Sequence, residues 1–394
     1  MRFRLPRHLD QAAALAVFAA LPTVGLVNGP VYAPLVFGLA GIMILAGLAG
    51  RRHPVMTLDL PLTALAASLL AWSGLSLFWS IDPRHSLSGV LQLAAVSIPS
   101  LALLSAGVIE PKWKKPIFYV VAAATLIGPI FVIVDIVLQY KLHTIAFLHS
   151  DAWAPTKYNR GIDYLLIFVW PVLAWIRRTD GWRMIGVIGA VIFAMILLSP
   201  STTGRVEAII GSVVLLLATR RPEFTARLLA VTVPAMALLF PFLVRLVAGL
   251  REAVGTHLKV SALHRLEIWD YMSARILERP LAGWGFWTAK QVPISGEELS
   301  HYVYADNSGI YPHNQWIGLW LECGFVGTAI ALAAVLILLR RVTRLPEDIR
   351  PFAYAAFSCA LVISNVNFEI TTDSWWAALA ATAFLFKALN DRSA

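Results

Sequence analysis

The hydrophobic pattern of the chain is a series of long apolar runs separated by short polar turns. Runs of this kind predict helices that cross a bilayer, for which about 20 apolar residues are needed. The twelve runs lie at 9–27, 31–49, 58–79, 88–108, 116–138, 162–176, 184–200, 204–218, 226–246, 314–339, 352–370 and 375–389. The pattern therefore predicts an all-α integral membrane protein with about twelve transmembrane helices.

Two connections between these runs are longer than the others. One, 139–161, is rich in aromatic residues and histidine, and the other, 247–312, contains a helix-like stretch at 261–277. Loops of this length within a compact bundle are usually functional. We predict a single polytopic membrane domain over residues 1–394, in which 247–312 is a long periplasmic loop containing short helices.

Composition and charge agree with a membrane protein. Hydrophobic residues make up 58% of the chain and charged residues 14%, against about 45–50% and 25% in soluble domains. The net charge of +9 does not indicate nucleic-acid binding, because the basic residues stand in pairs and triplets between the apolar runs, as in cytoplasmic loops. This distribution predicts that both termini are cytoplasmic and that the long loop faces outward. The first run is expected to be an uncleaved helix rather than a signal peptide.

Several kinds of catalytic site find no support in the sequence. It contains no Asp-x-Asp pair on the predicted outer face, no His-Glu-x-x-His, no phosphate-binding loop ending in Gly-Lys-Ser/Thr and no Gly-x-Ser-x-Gly. Cys323 and Cys359 lie inside apolar runs and are interpreted as packing residues rather than as a disulfide or metal ligands. We therefore predict no metal and no cofactor.

The clearest candidate for chemistry is the polar pair His313-Asn314 at the start of a long apolar run. Glu322 follows about two turns deeper, and then come Gly324 and Gly327. A histidine at the boundary between water and lipid can accept or donate a proton near neutral pH. The simpler alternative is a histidine beside a helix start that Asn314 caps, since asparagine is a preferred N-cap residue.

Two arginines complete the predicted catalytic set. Arg205 opens a predicted helix, where the helix dipole disfavours a cation unless an anion such as phosphate is also bound. Arg265 lies in the long loop, four residues before Trp269. Taken singly, each has an ordinary explanation: snorkelling for Arg205 and a solvated ion pair for Arg265. Together with His313 they could hold a pyrophosphate and deprotonate a hydroxyl.

Further ionisable residues lie on the same predicted face or at the edge of the bundle, where such groups are functional candidates. We predict that the most prominent of them bind substrate alongside the arginines, and rank Asp135, Glu207 and Glu369 below them. The predicted substrate-binding residues are Asn314, Arg160, Arg84, Asp163 and Glu322.

These motifs, in this order and on one side, resemble the O-antigen ligase family. The resemblance covers nearly the whole chain in length and topology. The motifs that carry it are Ser201-x-x-Gly204-Arg205, Arg265-x-x-x-Trp269, Pro280-Leu281-x-Gly283-x-Gly285 and His313-Asn314 followed after nine residues by Gly324-x-x-Gly327.

The resemblance implies a metal-independent, inverting glycosyltransferase of the bacterial inner membrane. Its donor would be an undecaprenyl-diphosphate-linked glycan, and its acceptor lipid A–core oligosaccharide on the periplasmic side. Arg205 and Arg265 would bind the diphosphate, and His313 would orient or deprotonate the acceptor hydroxyl. A polymerase using the same donor is the alternative within this chemistry. A transporter is less favoured, because no halves of the sequence repeat and the polar residues gather on one face.

Overall fold

The computed structural model describes residues 8–48, 59–106, 108–142, 158–179, 181–248, 260–296 and 311–391. These parts of the chain are helical with irregular connections, and no strand occurs in them, which confirms the predicted all-α class. The helices are α1 Leu9–Ala20, α2 Tyr32–Leu48, α3 Leu60–Leu75, α4 Pro83–Ala106, α5 Pro111–Val137, α6 Tyr158–Thr179, α7 Trp182–Leu198, α8 Thr202–Arg220, α9 Pro222–Ala248, α10 Val260–Glu278, α11 Gln315–Thr343, α12 Arg350–Ser364 and α13 Asp373–Asn390.

Each of the twelve apolar runs coincides with one of these helices, and α10 is the additional helix predicted within the long loop. In the described ranges, seven helices are long and apolar enough to cross a membrane, namely α2, α3, α4, α5, α8, α9 and α11. Shorter apolar helices are present as well, including α7 and α12. The protein is therefore a multi-pass membrane protein, and the count of twelve crossings stays a prediction.

Helix α6 forms the centre of the described fold. Every residue from Gly161 to Ile176 is buried, as expected for a helix that is apolar on all sides. It packs against α5, α7, α8, α12 and α13. Arg160 stands at its first turn, and Arg177 and Arg178 stand in its last turn, so charged residues mark both ends of this buried helix.

The basic turns of the chain meet at one end of the bundle. There the guanidinium of Arg178 bonds the carbonyl of Leu389 at 2.9 Å and forms an ion pair with Asp348. At the same end of the fold Arg341 lies 2.8 Å from Asp59. These contacts tie the predicted cytoplasmic connections to one another.

The opposite end gathers the turns that carry the candidate residues. Gly29 approaches Arg160 at the start of α6, and Ile81 bonds the carbonyl of Trp284 in the loop after α10. The hydroxyl of Tyr311 bonds the carbonyl of Asn367 in the α12–α13 connection at 3.0 Å. This end is called the site end below.

Two boundaries differ from the sequence-based prediction. Helix α12 ends at Ser364 rather than at residue 370, because Asn365 turns its side-chain amide back onto the carbonyl of Leu361 and the following residues form a polar turn. The predicted loop at 139–161 is described only at its two ends, where residues 158–161 already belong to α6. Its residues 143–157 lie outside the described part of the chain, as do 249–259 and 297–310 of the long loop.

Candidate active site

Helix α11 begins just after Asn314, whose side-chain amide forms hydrogen bonds through both its oxygen and its nitrogen. The Oδ1 atom of Asn314 accepts a hydrogen bond from the backbone N–H of Ile317 at 3.0 Å, which caps the helix. Its Nδ2 donates to the carbonyl of Asn365 at 3.0 Å and to Oδ1 of the same residue at 3.3 Å. Asn314 is 1% exposed. Its amide therefore joins α11 to the end of α12, and the capping alternative explains these bonds without a substrate.

The three residues before Asn314 are held on two sides. The indole Nε1 of Trp269 on α10 donates to the carbonyl of Pro312 at 2.5 Å. The ring of Tyr311 meets that of His313 edge-on, with 4.1 Å between the ring centroids. His313 itself has a positive φ of 48°, an uncommon conformation for a residue other than glycine. The Arg265-x-x-x-Trp269 motif and the His-Asn motif thus meet at Pro312.

Four basic residues surround His313. Burial and, to a smaller extent, the nearby charges of Arg265, His264, Lys290 and Arg160 together lower the pKa of His313 to about 4. The imidazole is therefore neutral at physiological pH, although cations surround it. We call these five residues the cationic cluster. The structure brings the predicted residues His313, Arg265 and Arg160 together in it.

Asp163 lies beneath the cationic cluster and is fully buried. The side-chain amide of Asn367 donates a hydrogen bond to its Oδ2. Burial lowers the pKa of Arg265, while the neighbouring Tyr311 and Asp163 oppose that effect. Asp163 thus places a carboxyl group beneath the basic residues, and its role in substrate binding stays a prediction.

Helix α11 is broken at Gly324, where φ is 64° and ψ is −163°. The break frees three carbonyls and two N–H groups that would otherwise bond within the helix. All five find partners in α3 or in the loop after α10. The bonds run from Trp284 N to Leu321 O (2.8 Å), Gly285 N to Glu322 O (3.1 Å), Trp72 Nε1 to Cys323 O (2.9 Å), Phe325 N to Pro280 O (2.8 Å) and Val326 N to Leu281 O (3.3 Å).

Glycine is required at the centre of this junction. A Cβ atom on Gly324 would lie 2.3 Å from the backbone carbon of Leu281, and one on Gly283 would lie 2.5 Å from that of Glu322. Both glycines also have positive φ, which other residues adopt only at a cost. The Pro-Leu-x-Gly-x-Gly and Gly-x-x-Gly motifs therefore form one backbone junction within α11.

Glu322 holds the loop beyond this junction in place. Its carboxyl oxygen accepts a hydrogen bond from the backbone N–H of Ala289 at 3.2 Å, and the N–H of Trp287 bonds the same group. The side chain is 6% exposed. Glu322 was predicted to bind substrate, and its described bonds instead fix the position of residues 287–289.

A cavity of about 110 Å³ opens beside the cationic cluster. Two carboxylates, Glu322 and Glu369, contribute to its wall, and the ring of His85 stacks on that of Trp287 with 4.6 Å between centroids. The lining residues are His85, Trp287, Ala289, Lys290, Tyr311, Pro312, Asn314, Gln315, Gly318, Leu319, Glu322, Phe368, Glu369, Ile370 and Thr371. We call this space the carboxylate cavity.

Two predicted residues lie apart from these features. The guanidinium of Arg205 bonds the carbonyls of Leu197 at 3.2 Å and Ser199 at 2.8 Å, at the end of α7. Its described hydrogen bonds therefore cap α7, and none of them reaches the cationic cluster. Arg84 is exposed in the first turn of α4, one residue before His85.

The sequence-based prediction of the site did not include several residues that the fold brings to the site end. His264 and Lys290 join the cationic cluster, and His85 lines the carboxylate cavity. Glu369 was ranked low and fell within the predicted run 352–370, yet it lies in the turn that begins where α12 ends early. The polar sequence Asn-Val-Asn-Phe-Glu around it was the available signal for that turn.

Comparisons with known proteins agree with the motifs. The family model described as O-Antigen ligase matches residues 185–332. Relatives named as candidate polysaccharide ligases come from Rickettsia typhi, Rickettsia conorii and Rickettsia bellii. They are 24%, 21% and 24% identical to this chain over 78%, 80% and 78% of its length, and the matches cover 75%, 77% and 75% of theirs. The resemblance to the O-antigen ligase family is thereby confirmed.

Proposed function

We propose that this chain, whose residues 185–332 match the O-antigen ligase family, is a glycosyltransferase that moves a glycan from undecaprenyl diphosphate to lipid A–core oligosaccharide. The observation that carries the proposal is the neutral His313 within a group of cationic side chains. A group that can accept a proton lies there beside groups that can bind a diphosphate.

The cationic cluster is suited to the donor's diphosphate. Arg265 is partly buried and Arg160 is exposed, so one guanidinium is fixed in the protein and the other reaches solvent. Guanidinium groups bind phosphate oxygens through paired hydrogen bonds. As the leaving group departs, negative charge grows on the diphosphate, and fixed cations stabilise that charge. Arg205 stays a predicted third ligand of the diphosphate.

The reaction needs one proton acceptor. The oxygen of an acceptor hydroxyl attacks the anomeric carbon, a new glycosidic C–O bond forms, and the bond between that carbon and the diphosphate oxygen breaks. The electron pair of the broken bond stays on the lipid diphosphate, and the hydroxyl proton passes to the imidazole of His313. The Nδ1 atom of His313 is buried and has no hydrogen-bond partner within the described residues, so at least one ring nitrogen is uncommitted before substrate binds.

The proposed orientation of the protein is supported by the basic residues at one end of the bundle. Arg178, Arg341 and Lys114 lie at the end opposite the site, and basic residues favour the cytoplasmic side. The proposal therefore places the site end on the periplasmic face of a bacterial inner membrane, with both termini in the cytoplasm. Lipid-linked donor would reach the cationic cluster from the outer leaflet.

Reconstitution of the full chain tests this function. Purified protein is mixed with undecaprenyl-diphosphate glycan and lipid A–core in EDTA, with His313→Ala in parallel, and the products are separated by gel mobility. Glycan on lipid A–core, made by the wild type and lost in the variant, is the expected result.

Three other outcomes would overturn the acceptor or the chemistry. Longer lipid-linked chains with unmodified lipid A–core would make the protein a polymerase. Lipid-linked glycan that crosses a vesicle membrane without any new bond would make it a transporter. Loss of transfer in EDTA, restored by a divalent cation, would contradict a metal-independent mechanism.

A further inference from the structure

The carboxylate cavity and the cationic cluster lie next to each other, but they are formed by largely different residues. Lys290 belongs to both, and Tyr311 lines the cavity while its ring contacts that of His313. His313 and Arg265 do not line the cavity. Segment 311–314 therefore borders the cavity and also carries His313 of the cationic cluster, and the proposed function has used only the cationic side.

The cavity suits a diphosphate less well than the cationic cluster does. Its wall carries the carboxylate of Glu369, one lysine, Lys290, and, within the described residues, no arginine, whereas the cluster contains two arginines. Repulsion between like charges is stronger where water is partly excluded than in bulk solvent. A lipid diphosphate is thus expected to bind on the cationic side of segment 311–314, and the cavity is left for a ligand without phosphate.

The polar groups of the cavity suit hydroxyls. The described hydrogen bonds of Glu369 both fall on Oε2, from Nε1 of Trp287 at 3.2 Å and from Oγ1 of Thr371 at 3.3 Å. Its other oxygen retains acceptor capacity. The bond to Trp287 also fixes the indole, whose ring stacks on His85. The wall thus combines a positioned carboxylate with an aromatic surface, as specific small-molecule pockets do.

The dimensions of the cavity fit one sugar ring. A water molecule requires roughly 10–15 Å³ of such volume, so about 110 Å³ accommodates on the order of seven to ten water-sized groups. A monosaccharide has a similar number of ring atoms and hydroxyls. Lys290 is exposed, which shows that the cavity reaches the protein surface and that the rest of a glycan can extend outward.

We propose that the carboxylate cavity is the acceptor subsite, which binds an uncharged, hydroxyl-rich sugar residue with Glu369 accepting a hydrogen bond from one of its hydroxyls. This inference rests on the proposed glycosyl transfer. The acceptor sugar then lies on the other side of segment 311–314 from the diphosphate, and His313 is part of that segment. His85 and Glu369 lie outside residues 185–332, whereas ten of the fifteen residues that line the cavity lie inside that range.

A kinetic experiment separates the two compartments. Glu369→Gln keeps the shape of the side chain and an oxygen for the Trp287 bond, and removes the charge. The control Glu347→Gln alters an exposed carboxylate in the turn before α12. Loss of one hydrogen bond to a charged group corresponds to roughly a tenfold to hundredfold weaker interaction. We expect the apparent KM for lipid A–core to rise at least about tenfold in Glu369→Gln, with the KM for the lipid-linked donor unchanged.

A binding experiment gives a readout that does not require turnover. Saturation-transfer NMR would be recorded on the full-length protein in nanodiscs with methyl α-D-glucoside and methyl α-D-galactoside as probes. Binding of either probe by the wild type and the control, with loss in Glu369→Gln and no displacement by inorganic pyrophosphate, is expected. If Glu369→Gln unfolds at a lower temperature, Thr371→Ala, which removes the second bond to the same carboxylate, replaces it.

The outcomes distinguish this inference from the proposed function. Probe binding that depends on Glu369, in a protein without transfer activity, would reject the glycosyltransferase and keep the sugar site. An increased donor KM in Glu369→Gln, displacement of the probe by pyrophosphate, or no probe binding by the wild type would overturn the acceptor subsite.

Discussion

The cationic cluster and the carboxylate cavity lie on two sides of segment 311–314, yet they are built differently. The cluster takes its charges from α6, α10 and the loop after α10, and its imidazole is kept neutral by burial and by neighbouring cations. The cavity takes its carboxylates from α11 and from the turn after α12. One side is strongly basic, whereas the other has the carboxylate of Glu369 beside a single lysine, although the same short segment borders both.

This difference indicates how one fold can bind two substrates at two different places. A diphosphate and a sugar carry different charges, so opposite electrostatics on the two sides direct each to its own compartment. The reacting atoms would meet at His313, which is part of the segment. The following predictions test that division.

The largest effect is expected from His313. His313→Gln should lower kcat for transfer by about 10²–10⁴-fold, because the acceptor hydroxyl loses its proton acceptor. Initial rates with saturating donor and acceptor measure this. His8→Gln, at the opposite end of the bundle, is the matched control and should transfer at the wild-type rate. A loss below fivefold would remove His313 from the chemistry.

The next effect concerns the junction that fixes both compartments. Gly324→Ala should destabilise the protein by at least about 2 kcal/mol, since it combines a positive φ with a steric clash. Thermal unfolding followed by maleimide labelling of the buried Cys323 and Cys359 measures this. Gly38→Ala meets no atom within 4 Å and should leave the midpoint unchanged or raise it. Equal midpoints for the two variants would contradict the junction.

A smaller effect should distinguish the roles of the two predicted catalytic arginines, Arg265 and Arg205. Arg265→Lys should raise the KM for the donor about tenfold, because lysine cannot make the paired hydrogen bonds of a guanidinium. Arg220→Lys, an exposed change at the end of α8, is the control. Arg205→Lys should mainly lower the unfolding temperature, since its described bonds cap α7. A donor KM raised equally by Arg205→Lys would place Arg205 at the diphosphate after all.

The smallest effect is expected from pH. The pKa of His313 is lowered to about 4, so the base form persists as pH falls and protonation abolishes it only near pH 4. The acidic limb of kcat/KM should therefore lie near pH 4, and activity at pH 5 should differ less than about twofold from that at pH 7. Arg265→Gln removes a cation that lowers this pKa and should move the limb upward. A limb near 6.5, the ordinary histidine value, would contradict the buried position.

Much of the fold could be predicted from sequence, because helices that cross a lipid bilayer need long runs of apolar residues. The apolar runs predicted twelve of the thirteen α-helices in the described part of the chain, and the remaining helix, near 261–277, was predicted from the long loop. The break at Gly324 was not predicted, because an apolar run has the same composition whether its helix is continuous or interrupted. Its cause is a tertiary contact with Pro280 and Leu281, which are distant in sequence.

The site was predictable where a residue was unusual for its place. His313, Arg265 and Arg160 stood out as charged or titratable groups at helix starts or in the long loop, and they come together. Glu369 and His85 did not stand out, because their importance depends on which turns meet at the site end. Asn314 was correctly recognised as a strong N-cap candidate, and its bonds to Asn365 could not be foreseen from spacing.

The first part of α11, from its cap at Asn314 to its break at Gly324, has a fixed length. The cap at Asn314 fixes one end, and the backbone pairs around Gly324 fix the other. Ten steps of 1.5 Å give about 15 Å between them. One residue inserted or deleted in this interval would change that length and turn His313 by about 100° around the helix axis relative to the junction. The nine intervening residues can therefore vary in kind far more easily than in number.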